Sequence, residues 1–343
     1  MDRTKLVSDL EELCNAIGVS GFEEAVRKII LRKAQPIADS VEVDRLGNVI
    51  ATLEGSRGSP RVLLDAHMDE VGFIVSHIDE QGFLRFEKIG GWDDRTLPGQ
   101  LVAFDTEKGR RPGIIGMKPP HLQAQEEGKR VLGIDQLFVD IGVTSPKEAE
   151  ELGIAVGSPF TIYHPFVLLG DIAMGKAFDD RAGCAVLLDV MRRLSEADHD
   201  ATIVFSFAIC EEIGGRGATT AAYATKPDVG LAIEGTAAGD TPGIPPERCT
   251  TSLRQGPAIT IADRSLIAHP RVVQRLRDLA DAHSIKVQIK KPIYGSTDAG
   301  RIALSRSGVP SGVLSVPCRY TVSYTHLRAH ETRHDLVCRL LLE

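Results

Sequence analysis

Four short stretches hold side chains that can do chemistry together: His67-Met68-Asp69, Asp179-Asp180, Glu211-Glu212 and Glu234. Several carboxylates cannot share one site as bare anions, because each raises the pKa of the next. A divalent cation removes that conflict, and one His among carboxylates suits Zn2+, Co2+ or Mn2+. A carboxylate able to bridge two ions points to a two-metal hydrolase. In the first stretch His67 would bind metal through one ring nitrogen, while Asp69 accepts the other N–H and fixes the tautomer. Glu211 and Glu212 are adjacent and lead into Ile213-Gly214-Gly215-Arg216-Gly217. They would point in different directions, so that one ligates metal and the other holds a proton as a general base. The plain alternatives are a chance His-x-Asp triplet and a solvated acidic loop end.

These groups need elements to carry them. Leu6, Leu10, Leu13 and Ile17 recur at helical spacing, and Gly18 to Gly21 end that helix. Val26, Ile29 and Ile30 mark a second helix. Val41 and Val43, the turn Leu46-Gly47-Asn48 and residues 49–53 read as a hairpin. Residues 61–66 (RVLLDA) read as a buried strand. Between about 70 and 165 short alternating runs punctuated by Gly and Pro predict an inserted all-β domain, with a polar loop over 119–135. From about 178 strands alternate with helices: helix 181–194, strand 201–209, helix 216–223, strand 229–233, strand 257–262, helix 270–283, strand 285–290, helix 297–306 and strand 312–316. That alternation predicts an α/β fold with a mainly parallel sheet covered on both faces. Ligands in such sheets bind outside the carboxyl ends of the strands. His67 and Asp69, Glu211 and Glu212, and Glu234 each follow one of these strands.

Composition narrows the function classes. The 343 residues are 43% hydrophobic and 25% charged, as in a globular protein, and carry a net charge of -7 without charged blocks. That disfavours nucleic acid as a partner. No apolar run approaches the roughly 20 residues that span a bilayer. The N-terminus MDRTKLVSDLEELC places acidic residues where a signal peptide is apolar. Six scattered cysteines without a CxxC pair read as reduced thiols, and with the N-terminus predict a cytoplasmic protein.

With these residues assembled, the sequence resembles the M42 family of metallo-aminopeptidases, which includes glutamyl and tetrahedral aminopeptidases. The matching segments are DAHMDEVGFIV (65–75), KAFDDRAG (176–183), EEIGGRGA (211–218), AIEGTAAGDTPG (232–243), DRS and HP within 263–270, GSTDAG (295–300) and SGVPSGVLSVPCRY (307–320). The resemblance implies that His67 binds one of two metals, that Asp179 bridges both with Asp180 beside it, and that Glu212 and Glu234 complete the metal set. It implies Glu211 as general base, with Thr297 and Asp298 bordering the substrate. Glu234 departs from a position that is often Asp in the family. The implied activity is release of N-terminal residues from short peptides. Residues 1–69 and 166–321 would form the catalytic domain and 70–165 the dimerisation domain, with dimers assembling into a dodecamer.

The pattern breaks near the C-terminus. The family carries a His shortly after the CRY segment, where this chain has Val322. The remaining residues, 322–343, resemble translated adaptor sequence more than the family and are expected to be an aberrant tail. This tail contains His330-Glu331-Thr332-Arg333-His334, a match to the zinc pattern HExxH in strongly polar surroundings. His326 is the nearest candidate to replace the missing ligand. Loss of that ligand predicts impaired metal binding and activity. Two other readings compete: a glycosidase using paired carboxylates, disfavoured by a single Trp at position 92, and a catalytically dead oligomeric scaffold.

Overall fold

The computed structural model describes residues 3–122, 130–291, 294–320 and 325–328. The chain opens with helices α1 (Arg3–Asn15) and α2 (Glu24–Ala34), then the strands β1 (Ser40–Val43), β2 (Val49–Leu53) and β3 (Arg61–His67). Strands β4 (Gly72–Ile78), β5 (Leu84–Ile89), β6 (Leu101–Thr106), β7 (Gly109–Gly116) and β8 (Phe138–Asp140) follow. Next come α3 (Pro146–Glu151), β9 (Pro159–Ile162), β10 (Val167–Leu169), β11 (Ile172–Gly175) and α4 (Phe178–Leu194). The rest is β12 (Thr202–Ala208), α5 (Arg216–Thr225), β13 (Val229–Ala237), β14 (Ala258–Thr260), α6 (Pro270–Ala282), β15 (Gln288–Lys290), α7 (Asp298–Ala303), β16 (Ser311–Cys318) and β17 (Thr325–Arg328).

Eight strands form one sheet in the order β1-β2-β12-β3-β13-β16-β14-β15. Its centre, β12-β3-β13-β16, is parallel, while β1 and β2 join antiparallel on one side and β14 on the other. Every residue of β12 is buried, as a strand covered on both faces requires. Ile203, Phe205 and Phe207 face a core built with α1, α2, α4 and α6. Val204 and Ala208 face the other layer, where α5 and α7 contribute Ala218, Ala221, Ala222 and Ile302. Small residues on α5 let that helix lie close to the sheet.

Six strands, β4-β5-β8-β7-β6-β9, close into a separate antiparallel barrel within the expected insertion. Closure removes exposed sheet edges. Phe73 stacks on Phe160 at 5.1 Å and on Trp92 at 4.8 Å, and Trp92 donates its indole N–H to Gly72 O. Trp92 is therefore committed to the barrel core. Residues 167–175 form the hairpin β10-β11, which pairs with β17 so that Met174 stands opposite His326.

Two expectations need correction. Glu234 does not follow its strand but lies inside β13, because pairing with β16 continues from Gly230–Ser311 to Ala237–Cys318. For the same reason β16 runs on to Cys318, two residues beyond the expected strand 312–316. Among the described residues no helix is long and apolar enough to cross a membrane.

Candidate metal centre

The carboxyl end of the parallel strands brings the sequence candidates together. His67 is the last residue of β3, Glu211 and Glu212 follow β12, and Glu234 projects from β13. Asp179 and Asp180 stand at the head of α4 with non-helical backbone angles, which turn Asp179 toward the strand ends. His67 Nε2 lies 3.3 Å from Asp179 Oδ1, 3.8 Å from Glu234 Oε2 and 4.0 Å from Glu211 Oε2. Two sets of donors converge, His67 with Asp179 and Glu234, and His67 with Glu211 and Glu212. Within each set the ligand atoms lie within 4.8 Å of one another.

The opposite edge of the imidazole faces Asp69, with Nδ1 3.3 Å from Asp69 Oδ1 and 3.2 Å from the Asp69 carbonyl oxygen. That arrangement makes Nδ1 the donor and leaves Nε2 for the carboxylate cluster. Asp69 does more than the sequence reading assigned it. Its Oδ1 accepts from Glu211 N at 2.9 Å and its Oδ2 from Glu212 N at 3.1 Å. Burial opposes the charge on Asp69, but hydrogen bonds from His67, Ser20 and the Glu211 amide hold its pKa below the ordinary value. Burial likewise opposes the charge on His67, yet Asp179, Asp69 and Glu211 raise its pKa well above the usual range.

The remaining carboxyls are driven the other way. Burial, reinforced by Asp179 and Asp69, pushes Glu211 up to about 7. Burial and neighbouring carboxylates raise Glu212 and Glu234 well above the carboxylate range. A cluster of buried acids that resist ionisation together is the electrostatic demand that a divalent cation meets. The donor set, one imidazole nitrogen with several carboxylate oxygens, therefore fits metal. Zn2+, Co2+ and Mn2+ all accept such ligands.

Further buried acids support the site: Asp180 and Asp298, which the resemblance singled out, and Asp65, which it did not. Asp180 is fully buried and its carboxylate accepts from His67 N at 3.3 Å and Gly183 N at 3.0 Å. Asp298 caps the other side, its backbone N–H donating to Glu234 Oε1 at 2.9 Å. Asp65 stands opposite Ser206 in the sheet, and burial pushes its carboxyl up to about 6. A carboxylate inside the apolar run RVLLDA was the available signal for Asp65. Val322, His330 and His334 lie outside the described residues.

Comparison with known proteins agrees with this geometry. The family model for M42 glutamyl aminopeptidase matches residues 47–336, running past Val322. The lysyl aminopeptidase of Pyrococcus furiosus is 36% identical, the match covering 93% of this chain and 90% of that protein. The crystal structure of a TET aminopeptidase from a marine sediment Thaumarchaeota archaeon superimposes with a TM-score of 0.97 at 40% identity, covering 100% of this chain and 97% of that one. The TET1 peptidase of Pyrococcus horikoshii, described as assembling into a tetrahedron or a large octahedral shell, gives a TM-score of 0.87 at 32% identity, covering 98% and 99%. The chain belongs to the M42 glutamyl aminopeptidase family, and so to the metallo-aminopeptidases.

Proposed function

We propose that this protein is a two-metal aminopeptidase that releases N-terminal residues from short peptides. His67, Asp179 and Glu234 would hold one ion, and Asp179 and Glu212 the other. Ions bound there would polarise the scissile carbonyl and make water a stronger acid. Glu211 takes the proton of the attacking water at its carboxylate and passes it to the departing amine. Asp69 holds the His67 tautomer and, through the amides it accepts, aims the Glu211-Glu212 pair. The observation that carries this reading is the convergence of five side chains from four separate stretches, His67, Asp179, Glu211 with Glu212, and Glu234, at one sheet edge. Zn2+, Co2+ and Mn2+ remain the candidate ions.

Further parts of the reading rest on the family. The barrel is the proposed dimerisation domain, and dodecamers of the kind named for Pyrococcus horikoshii relatives are the proposed assembly. A cytoplasmic location fits the scattered thiols, of which Cys14, Cys184, Cys210 and Cys318 are buried. Val322 replaces a ligand of the second ion, so that ion would bind weakly and turnover would be impaired. The tail after Thr321 is proposed as foreign to the family. A glycosidase is disfavoured, since Trp92 is stacked in the barrel.

The test compares the chain with a Val322→His version on short peptides with free and acetylated N-termini, with and without chelator. The proposal expects release of the first residue only from free N-termini, abolished by chelator and faster in Val322→His. Cleavage that survives chelation, or that ignores N-terminal acetylation, would contradict it.

A further inference from the structure

Buried polar groups not used by the proposed chemistry gather along Gly18–Glu23, the segment between α1 and α2. This segment runs beside Asp69 and Glu70, directly after β3. Glu70 N donates to Gly18 O at 3.0 Å, Gly18 N donates to Glu70 Oε1 at 3.0 Å, and Ser20 N donates to Glu70 O at 3.3 Å. Glu70 is anchored in turn by Lys176 Nζ at 2.7 and 2.9 Å and by Arg181 at 3.4 Å, all three side chains being buried. The segment is therefore fixed to the stretch that leads into Asp179.

From that anchored segment Ser20 Oγ donates to Asp69 Oδ2 at 2.6 Å, the shortest contact Asp69 receives. Asp69 then has its acceptor capacity filled: Oδ1 serves His67 Nδ1 and Glu211 N, and Oδ2 serves Ser20 Oγ and Glu212 N. Three residues later Glu23 Oε1 accepts from Cys210 N at 3.2 Å. Cys210 has φ 55°, in the left-handed region that side chains adopt at a cost, and it directly precedes Glu211. The same short segment thus braces both strand ends that bear the candidate ligands.

We propose that Ser20 is a positioning residue of the hydrolytic centre. Its hydroxyl locks the Asp69 carboxylate in the one orientation that serves His67 Nδ1 and the Glu211 and Glu212 amides together. Without it, Oδ2 keeps only the Glu212 amide, and the carboxylate is free to turn about its Cβ–Cγ bond. His67 Nδ1 then keeps only the Asp69 carbonyl oxygen as a partner, so the imidazole is held less firmly, and the two glutamates lose their common anchor. The inference rests on the ligand and base roles proposed above for His67, Glu211 and Glu212.

The experiment uses the full chain with Ser20→Ala, Ser20→Thr and, as a control on the site itself, His67→Ala. Each metal-free protein is titrated with Co2+, followed by its visible absorption, and its thermal midpoint is measured in chelator. Ser20→Ala is expected to need about tenfold more Co2+ for half-saturation, as loss of an outer-shell partner does, with its midpoint near that of the parent. On peptide substrate its kcat falls while KM holds, and Ser20→Thr, which keeps the hydroxyl, restores both readouts. A parental Co2+ curve for Ser20→Ala overturns the proposal. So does equal weakening of Ser20→Ala and Ser20→Thr with lowered midpoints, which would mark a packing role. If His67→Ala binds Co2+ like the parent, the site assignment itself fails; if His67→Ala alone loses binding, only the role of Ser20 fails.

Discussion

The barrel and the carboxyl edge of the large sheet bury side chains for opposite ends. In the barrel Phe73, Phe86, Phe104 and Phe160 fill the interior, with ring centroids about 5 Å apart. At the sheet edge the buried groups are His67, Asp69, Asp180, Glu234 and Asp298. Burial of an aromatic ring stabilises the fold directly. Burial of a carboxyl costs free energy unless a partner or a proton compensates it. The sheet edge is thus held in place by the surrounding fold and is the part expected to respond to pH and metal.

The largest expected effect falls on the sheet edge. Glu211→Gln keeps the shape and removes the base, so kcat should drop by about 10²- to 10⁴-fold with little change in thermal midpoint. A steady-state assay beside a melting curve checks this, and a mutant that keeps parental kcat would place the base elsewhere. Phe73→Ala should do the reverse. Emptying the barrel of a fully buried ring costs about 3–5 kcal/mol, read as a lower urea midpoint, while metal binding at the sheet edge persists. Lost metal binding in a folded Phe73→Ala protein would show that the two regions are coupled.

A smaller effect is expected from pH in the metal-free protein. Asp65, at about 6, Glu211, at about 7, and Glu212 and Glu234, which burial raises well above the carboxylate range, all exceed ordinary carboxylate values. Between those ordinary values and the raised ones the native state binds more protons than the unfolded chain, so stability falls as pH rises. His67, also raised, acts in the same direction. Melting in chelator should therefore drop by several degrees from about pH 5 to about pH 8, and added divalent cation should cancel the drop. A midpoint that rises across this window would contradict the assignment of these shifts. The smallest effect is a control on the barrel side. Lys147 and Glu151 are exposed partners on α3 at 3.9 Å, and Lys147→Ala should move the midpoint by no more than about a degree.

Much of the sheet was legible because its strands read as apolar runs; residues 201–209 predict β12 almost to its ends. The barrel was legible as a class, from alternation and turn residues, but its closure was not, since strand order depends on contacts distant in sequence. Glu234 was misplaced because a polar residue in a strand reads as its end, whereas pairing with β16 carries β13 onward. The ligand candidates were visible as acids and a histidine after strands. Ser20 was not, because its partner Asp69 is 49 residues away and a serine between glycines reads as an ordinary turn. β17 was not anticipated, because no element was assigned to the terminal residues; residues 325–328 pair with β11.

The central claim is that His67 and the converging carboxylates form a metal centre. It is tested most directly by equilibrium dialysis of the parent and His67→Ala against Zn2+ or Co2+, with elemental analysis of metal per chain. The parent should hold at least one tightly bound ion per chain, and His67→Ala should lose it. Equal metal content in the two proteins would contradict it.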